Sequence, residues 1–171
     1  PPAGLAADAS PPLHPGRLAV AWLDTALRGG VLLVSIYLYV SEGWSRRNLD
    51  LLEAAGALAR AHGSFWIIAG DFNMSPSEAG AAEPWLRRMR ARIVAPEAPT
   101  CRTGRVIDFF VVDERLAPAV VAVWTDLSTN AWPHSPVRLR VRTQATNYTV
   151  LKRRPPSAFP AERPIGCQRP I

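Results

Sequence analysis

Apolar residues in this chain fall into short runs separated by polar, glycine and proline breaks. Leu18–Leu23 and Val31–Val40 are strand-length runs, and the second is rich in β-branched and aromatic residues. Arg28-Gly29-Gly30 between them is a turn signal, so the pair predicts a hairpin. Beyond Ser45, a helix cap, the apolar residues Leu49, Leu52, Ala55 and Ala59 repeat at helical spacing. That pattern predicts a helix to about His62, stopped by Gly63. Phe65–Ala69 is a compact apolar run, a buried strand that leads into Gly70-Asp71-Phe72-Asn73. Ser77–Arg92 predicts one or two helical turns with Pro84 at a helix start. Val106–Val112, Val120–Trp124 and Val137–Val141 read as strands, with a short turn or helix at Leu116–Ala119. In the last strand, apolar residues alternate with Arg138, Arg140 and Arg142, so one side faces a core and the arginines face outward. Residues 17–142 therefore predict one mixed α/β unit.

Both ends break this pattern. Five of the 17 prolines lie in residues 1–15 and five more in residues 155–171. The expected organisation is a Pro-rich, disordered segment 1–16, a folded unit 17–142 and a basic Pro-rich tail 143–171. The first residue is not Met, which predicts a fragment or a processed chain. No signal-peptide pattern opens it, and no apolar stretch is long enough to span a membrane.

The net charge of +6 and pI of about 10.3 favour polyanionic partners, although an Arg-rich composition with solvated charges gives the same numbers. Lys152-Arg153-Arg154 is either a nuclear-localisation or nucleic-acid patch or a solvated linker. Cys101 and Cys167 have neither metal-ligand spacing nor a disulfide framework. Reduced thiols, and so an intracellular location with a nuclear one as a further expectation, fit this usage.

Four features near strand ends carry chemistry. Asp71 and Asn73 lie two residues apart after a buried strand. The carboxylate can bind a hard metal or take a proton from water, and the amide can hold a phosphoryl oxygen; Gly-Asp-x-Asn is also good turn chemistry. Asp108 sits inside Val106-Ile107-Asp108-Phe109-Phe110-Val111-Val112, where a carboxylate must be paired, metal-bound or turned to a polar face; Arg105 is a nearby partner. His134, in Trp132-Pro133-His134-Ser135-Pro136-Val137, stands at a loop-to-strand junction suited to a general base or to stabilising a charged oxygen. Tyr37 is a strand tyrosine that either reaches a phosphate or fills a core. Glu78 reads as a helix-end charge, and the tryptophans as packing residues with some capacity to stack bases.

The order of these features resembles the endonuclease/exonuclease/phosphatase family. That family includes DNase I-like nucleases, abasic-site endonucleases, deadenylases, inositol-phosphate phosphatases and the endonuclease domains of non-LTR retrotransposons. Gly70-Asp71-Phe72-Asn73 carries most of the resemblance. Ile107-Asp108-Phe109-Phe110 looks like the strand with the second conserved Asp, and His134-Ser135-Pro136-Val137 like the terminal His motif. The resemblance covers the family's second half, about residues 17–142, and implies part of a DNase I-like four-layer α/β sandwich. It implies that Asp71 orients or deprotonates the attacking water and that Asn73 holds the scissile phosphate. Asp108 would orient His134, His134 would stabilise phosphate charge, and Tyr37 would contact the phosphate. The implied cofactor is Mg²⁺ or Mn²⁺.

Two departures stand out. Pro133 precedes His134 where the family usually has Asp, so that position supplies no carboxylate. The family's early Asn and metal-binding Glu have no counterpart, since Asp8 is the only acid in residues 1–17. This segment alone is therefore not predicted to be an independent catalyst; a missing N-terminal half or a homodimer is the expected partner, along with nucleic acid. Three readings follow: a metal-dependent nuclease, a catalytically inactive nuclease remnant that binds nucleic acid, and a phosphatase of a small phosphorylated ligand.

Overall fold

The computed structural model describes residues 16–24, 29–61, 63–80, 82–129 and 131–142. Strands β1 (Leu18–Leu23), β2 (Val31–Tyr37), β3 (Phe65–Asp71), β4 (Ala91–Val94) and β5 (Asp108–Asp113) form one mixed sheet in the order β1-β2-β3-β5-β4. Strands β6 (Val120–Thr125) and β7 (Val137–Val141) form a separate antiparallel ribbon. Helices α1 (Arg46–Ala61), α2 (Pro76–Gly80) and α3 (Glu83–Met89) complete the mixed α/β architecture. The expectations for the two Pro-rich ends, for Lys152-Arg153-Arg154 and for Cys167 lie outside the described residues, Gly16 apart.

The hairpin predicted from the first two runs forms, with β1 antiparallel to β2. Strand β2 then runs parallel to β3, which requires a crossover, and α1 supplies it. Ser45 caps α1 by accepting the Asn48 backbone N–H at 3.3 Å, and Gly63 follows the helix at φ +64°. The buried stripe of α1 is Asn48, Leu51, Leu52, Ala55, Gly56 and Ala59. Leu49, expected on that stripe, is exposed; Asn48 faces the core in its place. The Asn48 side chain accepts the Tyr39 N–H at 2.7 Å and donates to the Tyr39 and Gly43 carbonyls at 3.1 and 2.9 Å. These bonds satisfy backbone groups that would otherwise be buried unpaired.

The same bonds explain why β2 stops at Tyr37 rather than running to Val40. Asn48 takes both polar groups of Tyr39 out of strand pairing, and Val40 is left exposed. Residues 76–92 are not one helix. The chain breaks between α2 and α3, Arg90 turns into the left-handed region at φ 51°, and residues 91–94 become the edge strand β4, which sequence reading missed. Strand β3 runs two residues further than predicted and so includes Gly70 and Asp71, whereas β5 begins two residues later, at Asp108.

Gly70 shows how tightly β2 and β3 are joined. Its φ is +152°, and a Cβ there would lie 1.9 Å from the Ile36 carbonyl oxygen. Only glycine fits that approach.

One face of the sheet is sealed by the helices: Leu32, Val34, Ile36, Trp66, Ile68, Phe109 and Val111 pack with Leu51, Leu52, Ala79, Trp85 and Met89. The opposite face carries Val31, Phe65, Ile67 and Val112, with Leu33 and Phe110 partly exposed. Ribbon residues Leu139 and Val141 pack against it. An apolar cavity of about 330 Å³ remains between sheet and ribbon, lined by Leu23, Leu33, Ala69, Phe110 and Val137 among others. The ribbon's outer arginines are used locally: Arg138 donates to Asp126 at 2.7 Å, and Arg140 lies over the Trp124 ring. Hydrogen bonds from Ser128, Arg138 and Thr129 hold the Asp126 carboxyl well below the usual carboxylate range.

Candidate active site

Strand alternation and register place the candidate residues before any side chain is considered. Tyr37 pairs across the sheet with Asp71, and Asp71 with Asp108. The row beneath is Ser35, Ala69 and Phe110, and the next is Leu33, Ile67 and Val112. Alternate residues share a face, so all three rows belong to the face opposite the helices. The polar row is thus the top of an apolar surface, at one end of three adjacent strands. Arg17 extends this row, because its carbonyl accepts the Tyr37 N–H at 2.9 Å.

His134 arrives from the other side, on the loop that enters β7. An isolated antiparallel bridge joins it to Cys101, and Ser135 N–H donates to the Thr100 carbonyl at 2.8 Å. Thr100 is fully buried, and its hydroxyl accepts the backbone N–H groups of both Ile107 and Asp108 at 3.0 Å. Thr100 therefore holds the start of β5 and the His134 loop in one frame.

In this frame His134 Nδ1 lies 2.9 Å from an Asp108 carboxylate oxygen, and Nε2 lies 4.0 Å from Asp71. The Asp108 contact is a hydrogen bond that fixes the ring; the second distance is too long for one. Arg105, the alternative partner for Asp108, instead pairs with Glu78 at 3.3 Å. Asp71 is half-buried, and that burial pushes its carboxyl above the ordinary range, reinforced by the nearby Asp108 charge and opposed by the Asn73 N–H, His134 and Arg17. The Asn73 N–H donates to Asp71 at 2.8 Å, in a turn where Asn73 has φ 52°. Its Nδ2 donates to the Leu38 carbonyl at 2.8 Å, which locks the β3 turn to the end of β2 and leaves one Nδ2 hydrogen and the carbonyl oxygen of the amide. Tyr37 is half-exposed, with the Arg17 guanidinium 4.3 Å above its ring.

The structure thus brings Asp71, Asp108 and His134 together directly, with Asn73 bonded to Asp71 and Tyr37 beside it in the row. Asp71, Asp108 and His134 offer ligand atoms within 4.8 Å of one another and form a group able to hold a metal ion. The two carboxylates suit a hard divalent cation, and the imidazole is a better donor to Mn²⁺ than to Mg²⁺. Pro133 adds no ligand; its carbonyl accepts the Arg102 N–H at 3.2 Å. Glu78 stays out of the site. It caps α2 by accepting the Ser75 N–H at 2.6 Å, the bond that chiefly lowers its pKa, while Ser75 Oγ accepts the Glu78 N–H.

Sequence reading missed Arg17, Asn48 and Thr100. Asn48 carried a signal, a polar residue on the apolar stripe of a helix. Arg17 and Thr100 carried none, because each acts through a long-range backbone contact.

The model of the endonuclease/exonuclease/phosphatase family matches residues 7–155. The chain belongs to this family. Among solved structures, it is similar to the endonuclease domain of TRAS1, a telomere-specific non-LTR retrotransposon, with 18% identity and a TM-score of 0.61 over 75% of this chain and 63% of that one. It is also similar to the cytolethal distending toxin of Actinobacillus actinomycetemcomitans, at 20% identity and a TM-score of 0.54 over 65% and 49% of the two chains. A third is the 3' phosphatase NExo from Neisseria, bound to a product DNA hairpin, at 17% identity and a TM-score of 0.52 over 73% and 64%. These likenesses establish the fold, a mixed α/β one of the DNase I-like type. No curated protein matches the chain. The chain spans about half the length of the toxin structures it matches. No helix among the described residues is long and apolar enough to cross a membrane.

Proposed function

We propose that residues 17–142 carry the second half of the catalytic apparatus of a divalent-metal-dependent phosphodiesterase acting on nucleic acid. The observation that carries this reading is the Asp108–His134 hydrogen bond of 2.9 Å, set 4.0 Å from Asp71 in a family whose members include nucleases. Asp108 holds the His134 ring through Nδ1 and directs Nε2 toward the region of Asp71. From there the His134 Nε2 stabilises negative charge on a phosphate oxygen. Asp71, partly buried at the strand end, orients water and accepts its proton. Asn73 and Tyr37 flank the phosphate. Asp71 and Asp108 would help to hold Mg²⁺ or Mn²⁺, which when bound would lower the pKa of water and neutralise developing charge. The net charge of +6 supports a polyanionic substrate. The TRAS1 and NExo likenesses support a nucleic acid over a small phosphate, and TRAS1 supports a retroelement origin.

The test is nicking of supercoiled plasmid in Mg²⁺ and Mn²⁺. Asp71→Ala and His134→Ala are each expected to lower the rate by at least about 10²-fold. A full-rate Asp71→Ala protein would sink the assignment. Plasmid binding with no nicking, metal present, would favour the inactive binding module.

A further inference from the structure

The loop that delivers His134 also presents the most exposed tryptophan among the described residues. Trp132 is 71% exposed, whereas Trp66 and Trp85 are buried. Its position follows from the bridge that holds the catalytic loop. Cys101 pairs with His134, the next residue outward, Arg102, donates its N–H to the Pro133 carbonyl at 3.2 Å, and the Arg102 guanidinium lies 4.7 Å from the Trp132 ring centroid. Two residues of chain span at most about 7 Å. Phosphates of one strand recur about every 3.4 Å along a duplex axis and farther apart along an extended strand, so Trp132 lies within a few nucleotides of His134.

Arg102 makes no ion pair with any acidic side chain among the described residues. An exposed indole costs hydration and gains nothing from the core, and a stacked arginine with no acidic partner adds positive charge next to it. That combination suits a nucleobase, whose face stacks on the indole while its phosphate meets the guanidinium.

We propose that Trp132 and Arg102 form a stacking platform for an unpaired nucleobase beside the phosphate held at His134, and that this platform selects nucleic acid over small phosphoesters. The inference rests on the nuclease reading of the site but concerns a different contact. It is tested by binding, without metal and without turnover. Labelled single-stranded oligonucleotide and a base-free oligonucleotide of the same length are titrated with the full chain in EDTA and followed by anisotropy. Trp132→Ala is expected to weaken binding of the base-containing strand by about tenfold and to leave the base-free strand within about twofold. Trp132→Phe is expected to restore most of the loss, and oligonucleotide quenching of tryptophan fluorescence is expected to fall in that variant.

Unchanged affinity of Trp132→Ala for the base-containing strand overturns the platform. Equal losses for both strands overturn it too, because they would report charge or loop damage rather than stacking. Failure of the wild-type chain to distinguish the two strands has the same meaning. The catalytic reading stands or falls separately, on metal-dependent nicking by Asp71→Ala.

Discussion

The two faces of the five-stranded sheet are made from alternate residues of the same strands, yet they are finished differently. On the helix side, Leu32, Val34, Ile36, Ile68 and Phe109 are covered by α1, α2 and α3. On the other side, Leu33, Ala69 and Phe110 border an apolar cavity of about 330 Å³ beneath the ribbon. The sealed face supplies stability, and the open face carries Asp71 and Asp108 at its upper edge. At this edge Asp71 is buried enough for its pKa to be raised yet still reached by solvent. The two tasks are thus divided between the faces of one sheet, and each strand serves both.

Substitutions can disturb this division, and the largest effect is expected where both faces depend on one residue. Gly70→Ala places a Cβ against the Ile36 carbonyl, so β2 and β3 must separate. A loss above about 4 kcal/mol is expected, seen as loss of a cooperative thermal transition. Next comes the direct contrast between faces. Leu51→Ala, at a fully buried position, is expected to cost about 2–5 kcal/mol by urea denaturation. Leu33→Ala, partly exposed on the open face, is expected to cost about 1 kcal/mol. Equal costs would mean that the open face is as well packed as the sealed one.

Asn48→Ala tests the polar tie between α1 and the segment after β2. It is expected to cost about 1–3 kcal/mol, because the Tyr39 N–H and the Tyr39 and Gly43 carbonyls lose their partner. The smallest effect belongs to the polar edge itself. Burial raises the folded-state pKa of Asp71, so the native state holds that proton more tightly than the unfolded chain. The stability this gives is fully present below the unfolded carboxylate pKa and is lost as pH rises through the raised folded value. At neutral pH the ionised Asp71 therefore destabilises the fold. Asp71→Asn is expected to raise Tm at pH of about 7, and its advantage over wild type is expected to shrink as pH falls toward about 4. A lower Tm at neutral pH would contradict the desolvated site.

Much of the fold was legible because local patterns and tertiary needs agreed. The hairpin of β1 and β2, the span of α1 with its Ser45 cap and Gly63 stop, and the alternating strand β7 all follow from periodicity and turn residues. Disagreements arose where a distant partner overrode local preference. The continuation of β2 through Leu38, Tyr39 and Val40 is absent because Asn48 takes both the Tyr39 N–H and the Tyr39 carbonyl. Strand β4 exists because residues 91–94 find β5, a pairing that no local pattern announces.

Most element types, the family and the kinds of chemical group could be read from the chain, because strand alternation, helix caps and the Gly70-Asp71-Phe72-Asn73 motif are local properties of it. Which groups meet was settled by tertiary pairing. Asp71 and Asp108 face each other because β3 and β5 pair in one register. His134 reaches Asp108 across 26 positions because the fully buried Thr100 ties its loop to the start of β5. Those contacts depend on burial and on backbone groups that must find partners out of water, and neither can be read from residue spacing.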